Sequence, residues 1–477
     1  MAFPHLSRKV TLNEYLYQVG ETLVPPFSLQ YIIEGNGRLG VEEVRNSLIQ
    51  LSEKLPILRL VLKGRNWSLG DHTPALIVHE KPFSGNWNDP IFHSPLNAEK
   101  NSYAELHLFQ GKNSTLVFRV LHKLMDAKGI QLVIRSFFAL LRGEPIEQNT
   151  NFSSDQEVQK RLWEDATAAR EGYQSRWPGF PLSPDHPVHY QTEVITFDFR
   201  LEGAIARCGS WYADKLGETC RMMIPVDLRR HDNVPSSASN LSLPIYLPIR
   251  PGQGWQEIQS SLLSALKNNQ ELAGEKLEQL ALMIPQPLLR LIMTHTIKRS
   301  SKISRFPMSG ILSDNGFIDL QAWSTPSFTA KNVISLPVYI PLAPLCIAVV
   351  HHAERTNIAF SLPVGRDIQG LKSSLSETLS AGSPEKKPKV ISPELPPEEV
   401  RVLKSLWAEI LGCPMESVHP EVTFHDLGGD SLKLLFMLSA LTSNHPINSE
   451  SAFFNEVLNT GGHITLRSLI EIMDKFR

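Results

Sequence analysis

The run TLVFRVLHKLMDAKGIQLVIRSFFALLRGE, residues 115–144, changes its period partway along. Thr115–Leu121 is rich in β-formers and reads as a strand. After Gly129, the residues Ile130, Val133, Ile134, Phe137, Phe138 and Leu141 fall on one face at helical spacing, and Gly143 supplies a stop. The stretch therefore predicts a strand, a short loop and a helix packed on a sheet. His122 and Asp126 stand in that loop in the pattern H-x-x-x-D. The spacing alone is weak. With 16 histidines in the chain and aspartate at about 1 residue in 20, roughly one match arises by chance. Position says more, because loops on a rigid scaffold commonly carry the groups that do chemistry.

Outward from this run the mixed pattern continues. VITFDFRL (194–201) alternates, with Ile195, Phe197, Phe199 and Leu201 inward. RMMIPVDLR, LSLPIYLPI, IAVV and IAFSL read as further strands, and VEEVRNSLIQLSEKL and WQEIQSSLLSALKNNQEL as helices. The prediction is an α/β or α+β region of more than one layer. VISLPVYIPLAPLCIAVV (333–350) carries no charge, but Pro337, Pro341 and Pro344 would break a single helix. Buried strands joined by a proline-rich turn are expected there, not a membrane span. The start, MAFPHLSRKVTLNEY, lacks a signal peptide's apolar core, so the expected location is cytoplasmic.

A chain of 477 residues predicts two or three domains. Its 47 Lys and Arg nearly balance 49 Asp and Glu, which gives no electrostatic case for nucleic acid. Cys208, Cys220, Cys346 and Cys413 form no C-x-x-C pair and no zinc spacing with histidine, so no metal is expected. The clearest boundary is SAGSPEKKPKVISPELPP, near 380–397, whose Ser, Gly, Pro and Lys cannot pack; a linker is expected over 381–393. Beyond it, Val400, Leu403, Trp407, Ile410 and Leu411 recur at helical spacing before Gly412. Residues 394–477 are enough for a small all-α bundle of four helices.

Within that bundle FHDLGGDSLKLLFML (424–438) places Ser431 at the start of an apolar helix. Serine is a common N-cap, and Gly429–Lys433 lacks the final glycine of the hydrolase G-x-S-x-G elbow. A phosphodiester on Ser431 would meet the free N–H groups and the dipole of a helix N-terminus.

Asp426-Leu427-Gly428-Gly429-Asp430-Ser431-Leu432 closely resembles the 4′-phosphopantetheine attachment site of acyl and peptidyl carrier proteins, and the resemblance spans 394–477. It implies covalent 4′-phosphopantetheine on Ser431, installed by a phosphopantetheinyl transferase. Residues 1–380 resemble the condensation-domain and coenzyme-A-dependent acyltransferase superfamily, marked by His-His-x-x-x-Asp-Gly between strand and helix. LHKLMDAKG (121–129), IPVDLRR (224–230), SNLSLPIYLPI (239–249) and LSDNGFIDL (312–320) carry that likeness. It implies a V-shaped, two-lobed α/β (α+β) domain, with lobes of about 1–180 and 181–380 and a tunnel between them. By the same resemblance His122 is the catalytic base and Asp126 a structural support of its loop through an arginine the sequence does not identify. Leu121 stands where the family has its first histidine and Ala127 where it has glycine. The short interval between VITFDFRL and IPVDLRR predicts a lost or reduced helix. His351-His352, followed by Thr356 in a β-rich run, is taken as structural.

The expected function is carrier-dependent condensation of a thioester-bound acyl group with an amine or alcohol nucleophile, of the nonribosomal peptide or polyketide type. The chain has no room for an adenylation domain, so a separate adenylation, ligase or polyketide synthase protein would load the carrier or donate the acyl chain. A non-catalytic docking or gating module, or a coenzyme-A-dependent alcohol O-acyltransferase, are the alternatives.

Overall fold

The computed structural model describes residues 7–96, 103–163, 189–231, 234, 236–273, 282–303, 306–352, 355–380 and 397–476, the last with gaps at 421, 425–426, 428, 430, 445–447, 450–451, 454–455 and 458–463. The expected linker over 381–393 lies outside the described residues. The strands are β1 (Ser7–Lys9), β2 (Ser28–Gly37), β3 (Leu60–Lys63), β4 (Asn66–Leu69), β5 (Ala75–His79), β6 (Ala104–Gln110), β7 (Ser114–Leu121), β8 (Tyr190–Phe197), β9 (Cys220–Asp227), β10 (Ser242–Ile249), β11 (Gly310–Phe317), β12 (Phe328–Leu336), β13 (Cys346–His352) and β14 (Arg355–Pro363). The helices are α1 (Leu12–Leu23), α2 (Val41–Lys54), α3 (Pro90–His93), α4 (Ala127–Leu141), α5 (Asp155–Trp163), α6 (Ala204–Leu216), α7 (Trp255–Lys267), α8 (Gln286–Ile303), α9 (Ile368–Ser380), α10 (Pro397–Leu411), α11 (Ser431–Asn444) and α12 (Leu466–Phe476).

Two large sheets define two lobes, ordered β12-β2-β7-β6-β5 and β10-β9-β11-β13-β14-β8, with a small β1-β4-β3 sheet beside the first. The central strand β7 is buried along most of its length, so its two faces serve different partners. Leu116, Phe118 and Val120 pack with Val44, Leu48 and Leu51 of α2 and with Ile130, Val133, Ile134, Phe137 and Phe138 of α4. Val117, on the other face, joins Ile32, Ile334, Val194 and Ala359 in an apolar cluster between the two sheets. Phe83, Trp87, Ile91 and Phe92 fill out that cluster from the segment after β5. Asn88 straps the segment to β8, donating to Thr192 O at 3.1 Å and accepting from Thr192 N–H at 2.9 Å.

The second core lies between its sheet and α6, α7 and α9, with Trp211, Tyr212, Leu262, Leu263 and Leu375 among its buried residues. A third, separate core belongs to the C-terminal bundle. There Trp407, Phe424, Met437, Leu438, Phe453 and Leu469 are enclosed, and the Trp407 and Phe424 rings meet edge-on at 5.0 Å.

Two expectations change. The interval between VITFDFRL and IPVDLRR is not stripped of its helix: α6 occupies it over 13 residues, sealed at its end by Gly217 at φ 69°. The division at about residue 180 also does not describe the first sheet. β12, from the second half, pairs along β2 from Phe328↔Gly37 to Leu336↔Gln30. The uncharged run 333–350 thus supplies strands to both sheets, with its prolines at the crossing between them.

Gly129 in the first turn of α4 lies tightly against the backbone of Ala238. A Cβ there would lie 2.3 Å from the carbonyl oxygen of Ala238, a backbone atom that cannot swing away. Gly129→Ala is expected to destabilise the front domain by about 1–3 kcal/mol, read as a lowered first transition in chemical denaturation. A wild-type midpoint would show that this seam relaxes freely.

Candidate functional site

His122 follows β7 directly, and its backbone N–H donates to Phe27 O at 3.1 Å, so the ladder between β2 and β7 fixes where the side chain starts. Asn240 of the second lobe donates through Nδ2 to the His122 carbonyl at 2.7 Å. The ring is half-buried. Tyr17 of α1 stacks on it with centroids 4.3 Å apart and planes at 21°, and Phe27 lies 6.2 Å away. Nδ1 is 3.1 Å from Met125 O. A carbonyl only accepts, so this pairing assigns the proton to Nδ1 and the lone pair to Nε2. Burial holds the imidazole below its ordinary value of 6.5, against the smaller opposing pull of the His122 and Met125 carbonyls, Asp126 and Asn240. At neutral pH it is a neutral ring, fit to accept a proton.

Asp126 caps α4, its Oδ1 accepting from Gly129 N–H at 2.8 Å. The arginine the sequence left unidentified is Arg229. Its Nη1 donates to Asp126 Oδ2 at 3.0 Å and its Nη2 to Oδ1 at 3.2 Å. Its remaining donors go to Asp227 Oδ1 at 2.6 Å, Ser237 O at 2.8 Å and Ser239 O at 2.7 Å. Asp126 Oδ2 also accepts from Leu241 N–H at 2.6 Å. Burial alone would lower the Arg229 pKa, but Asp126 and Asp227 outweigh it and raise it. Asp126 therefore ties the histidine loop to the second lobe.

The two departures from the acyltransferase pattern are quiet in this geometry. Leu121 is 1% exposed and packs inside the fold. Ala127 opens α4 with a negative φ, so a glycine is not required there. The LSDNGFIDL segment forms a second tie between lobes: Asn315 O accepts from Lys128 Nζ at 2.9 Å and Gln131 Nε2 at 2.8 Å, after a bulge turned by Gly316 at φ 75°. His351 and His352 are buried on β13, the first against Thr356 Oγ1 at 3.0 Å, the second against Asn332 Oδ1 at 2.9 Å. Both serve packing. Tyr17, Asn240 and Arg229 were not singled out from the sequence, although Arg229 lies in IPVDLRR and Asn240 in SNLSLPIYLPI.

The structure does not bring Ser431 into contact with His122; it sits in the separate bundle, where α11 begins at this residue. The preceding turn is tight. Gly429 N–H donates to Phe424 O at 2.9 Å, and a Cβ on Gly429 would meet the Phe424 ring at 2.2 Å. The first turn of a helix presents its N–H groups and the positive end of its dipole, which suit a phosphodiester.

Residues 401–460 match the family described as Phosphopantetheine attachment site. No curated protein matches the chain. Among solved structures, the condensation domain of Monacolin K polyketide synthase MokA superposes with TM-score 0.56 at 10% identity, over 79% of this chain and 97% of that one. Polyketide synthase associated protein 5 from Mycobacterium tuberculosis gives 0.56 at 14% identity, over 80% and 100%. A mutant starter condensation domain of rhizomide synthetase RzmA gives 0.53 at 13% identity, over 79% and 94%. At these identities the likeness speaks for the fold. Most of the chain has the fold of the condensation domains, and residues 401–460 match a phosphopantetheine attachment site. Among the described residues no helix is long and apolar enough to cross a membrane.

Two outcomes are expected of this geometry. Followed by NMR, the His122 imidazole titrates below 6.5; a midpoint at or above that value contradicts the burial. Asp126→Ala leaves Arg229 with Asp227 as its one carboxylate partner and leaves the Gly129 and Leu241 N–H groups without their acceptor, and it is expected to cost about 1–3 kcal/mol. In calorimetry only the front-domain transition should fall, with the carrier transition unmoved.

Proposed function

We propose that this chain is a carrier-dependent acyltransferase that joins a thioester-bound acyl group to an amine or alcohol, forming an amide or ester. The observation that carries the proposal is His122: a neutral imidazole with its lone pair on Nε2, held in a loop fixed from both lobes, in a chain that also bears its own carrier.

Ser431 would hold the phosphopantetheine, which when bound would supply a thiol for carrying an acyl or aminoacyl group. Gly429 and the start of α11 set the serine directly after a tight turn, the position a phosphopantetheinyl transferase would modify. His122 accepts the proton of the attacking amine or hydroxyl at Nε2 and returns it to the departing thiolate, so the step balances without another reactant. Met125 O keeps Nδ1–H in place, and the stacked Tyr17 ring restricts the imidazole's rotation. Asp126, Arg229 and Asn240 hold the loop that aims it. Because a thioester is already reactive, much of the acceleration comes from positioning. The acyl group reaches the carrier through a separate loading protein, and the nucleophile is a small molecule or a second tethered substrate.

A gating module is the second reading. It draws on the apolar cluster of Phe92, Ile32, Val117, Ile334 and Val194, which occupies space between the sheets. One experiment separates the two. The pantetheinylated protein is loaded with acyl and aminoacyl groups and offered amines, alcohols and donor thioesters, with intact-protein mass spectrometry as readout. Ser431→Ala should abolish loading. His122→Ala should keep loading and lose about 10²–10⁴-fold of transfer. Loading without any His122-dependent transfer would favour the gating module.

A further inference from the structure

We propose that Arg200 is the docking residue that seats this chain's own carrier on the second lobe, at the end of β11 next to the histidine loop. The proposal deepens the function above and rests on the carrier delivering its thioester within the same chain.

Arg200 follows β8 and is 8% exposed. Its Nη2 donates at 3.0 Å to the carbonyl of Gly429, two residues before Ser431. Its guanidinium carbon lies 5.0 Å from the centre of the Phe317 ring, at the end of β11. The backbone beside it is pinned, since Leu201 N–H donates to Thr356 Oγ1 at 2.8 Å. Helix α11 of the carrier comes against α7 of the second lobe, so the contact is a face and not a single touch.

The acceptor is as constrained as the donor. Gly429 is buried, turns its N–H to Phe424 O and has no room for a side chain, and its carbonyl accepts from Arg200. A planar guanidinium can lie over the Phe317 ring and donate in its own plane at the same time; an ammonium cannot reproduce that pairing of roles. The far side of the contact leads inward. Phe317 ends the bulged segment whose Asn315 carbonyl is held by Lys128 and Gln131 of α4, and α4 is the helix that Asp126 caps. Arg200 thus joins the turn before the attachment serine to the element that bears the catalytic loop.

The test uses the full-length pantetheinylated protein as wild type, Arg200→Ala and Arg200→Lys. Hydrogen exchange is read over peptides spanning 422–434 and 255–267. The wild type should be protected at both, with exchange rising about tenfold at both in Arg200→Ala, the worth of one hydrogen bond from a charged donor. Arg200→Lys should recover little of it. In parallel, transfer from Ser431 should fall about tenfold while His122-dependent transfer from a diffusible N-acetylcysteamine thioester is unchanged. Equal exchange in wild type and Arg200→Ala overturns the docking. An equal loss with the diffusible thioester also overturns it, because Arg200 would then only support the lobe. If no substrate gives His122-dependent transfer, the catalytic reading fails and the exchange arm still decides the docking. If Arg200→Ala does not fold, Phe317→Leu removes the ring beneath the guanidinium and gives the same readouts.

Discussion

A carboxylate offers about four acceptor positions and a guanidinium five donors, and between Asp126 and Arg229 nearly all of them are used. Asp126 accepts from Gly129, Leu241 and twice from Arg229, while Arg229 also reaches Asp227, Ser237 and Ser239. The pair is buried, so its net worth to stability is small but its half-removal is costly. What it secures is geometry. The loop carrying His122 grows from the first sheet, and its far end is fastened to the turn between β9 and β10 in the second. Asn240, from the same turn, fastens the near end at the His122 carbonyl. The orientation of the imidazole is therefore a property of the two lobes together.

How much of this was legible in the sequence depended on range. The switch from alternation to helical spacing around residue 122 located β7, the loop and α4, because each is written in consecutive residues. Ser431 was legible for the same reason: its glycines, acids and helix start lie within one short stretch. Arg229 was not, since it is 103 residues from Asp126 and nothing local marks which arginine of the pair reaches the aspartate. Tyr17 stacks from α1, and an aromatic at a helical position reads equally well as core. Its burial raises its phenol pKa, as it would in any core.

Interval length misled in one place. The residues between β8 and β9 looked too few for the expected elements, yet tight turns at Gly203 and Gly217, both at positive φ, let α6 use the space fully. The neutral reading of Leu121 comes from its burial among β7 neighbours, a fact about packing that residue identity alone does not convey. The carrier, by contrast, has a core of its own, and the group that accepts from Arg200 is a backbone carbonyl, which leaves no trace in side-chain composition.

The placement of β12 bears on how the chain comes to be folded at all. β2 ends at Gly37 and waits for β12, which begins at Phe328, to cover its open side. At about 5–20 residues per second of synthesis, the partner arrives roughly 15–60 seconds later. For that interval a ten-residue strand bearing Leu29, Tyr31, Ile32 and Ile33 presents unpaired N–H and C=O groups to the crowded surroundings of the ribosome. The first lobe cannot mature as an autonomous N-terminal unit, and a nascent chain stalled before residue 328 is a ready template for strand exchange with its neighbours. Recombination that cuts between the lobes would inherit the same open edge permanently.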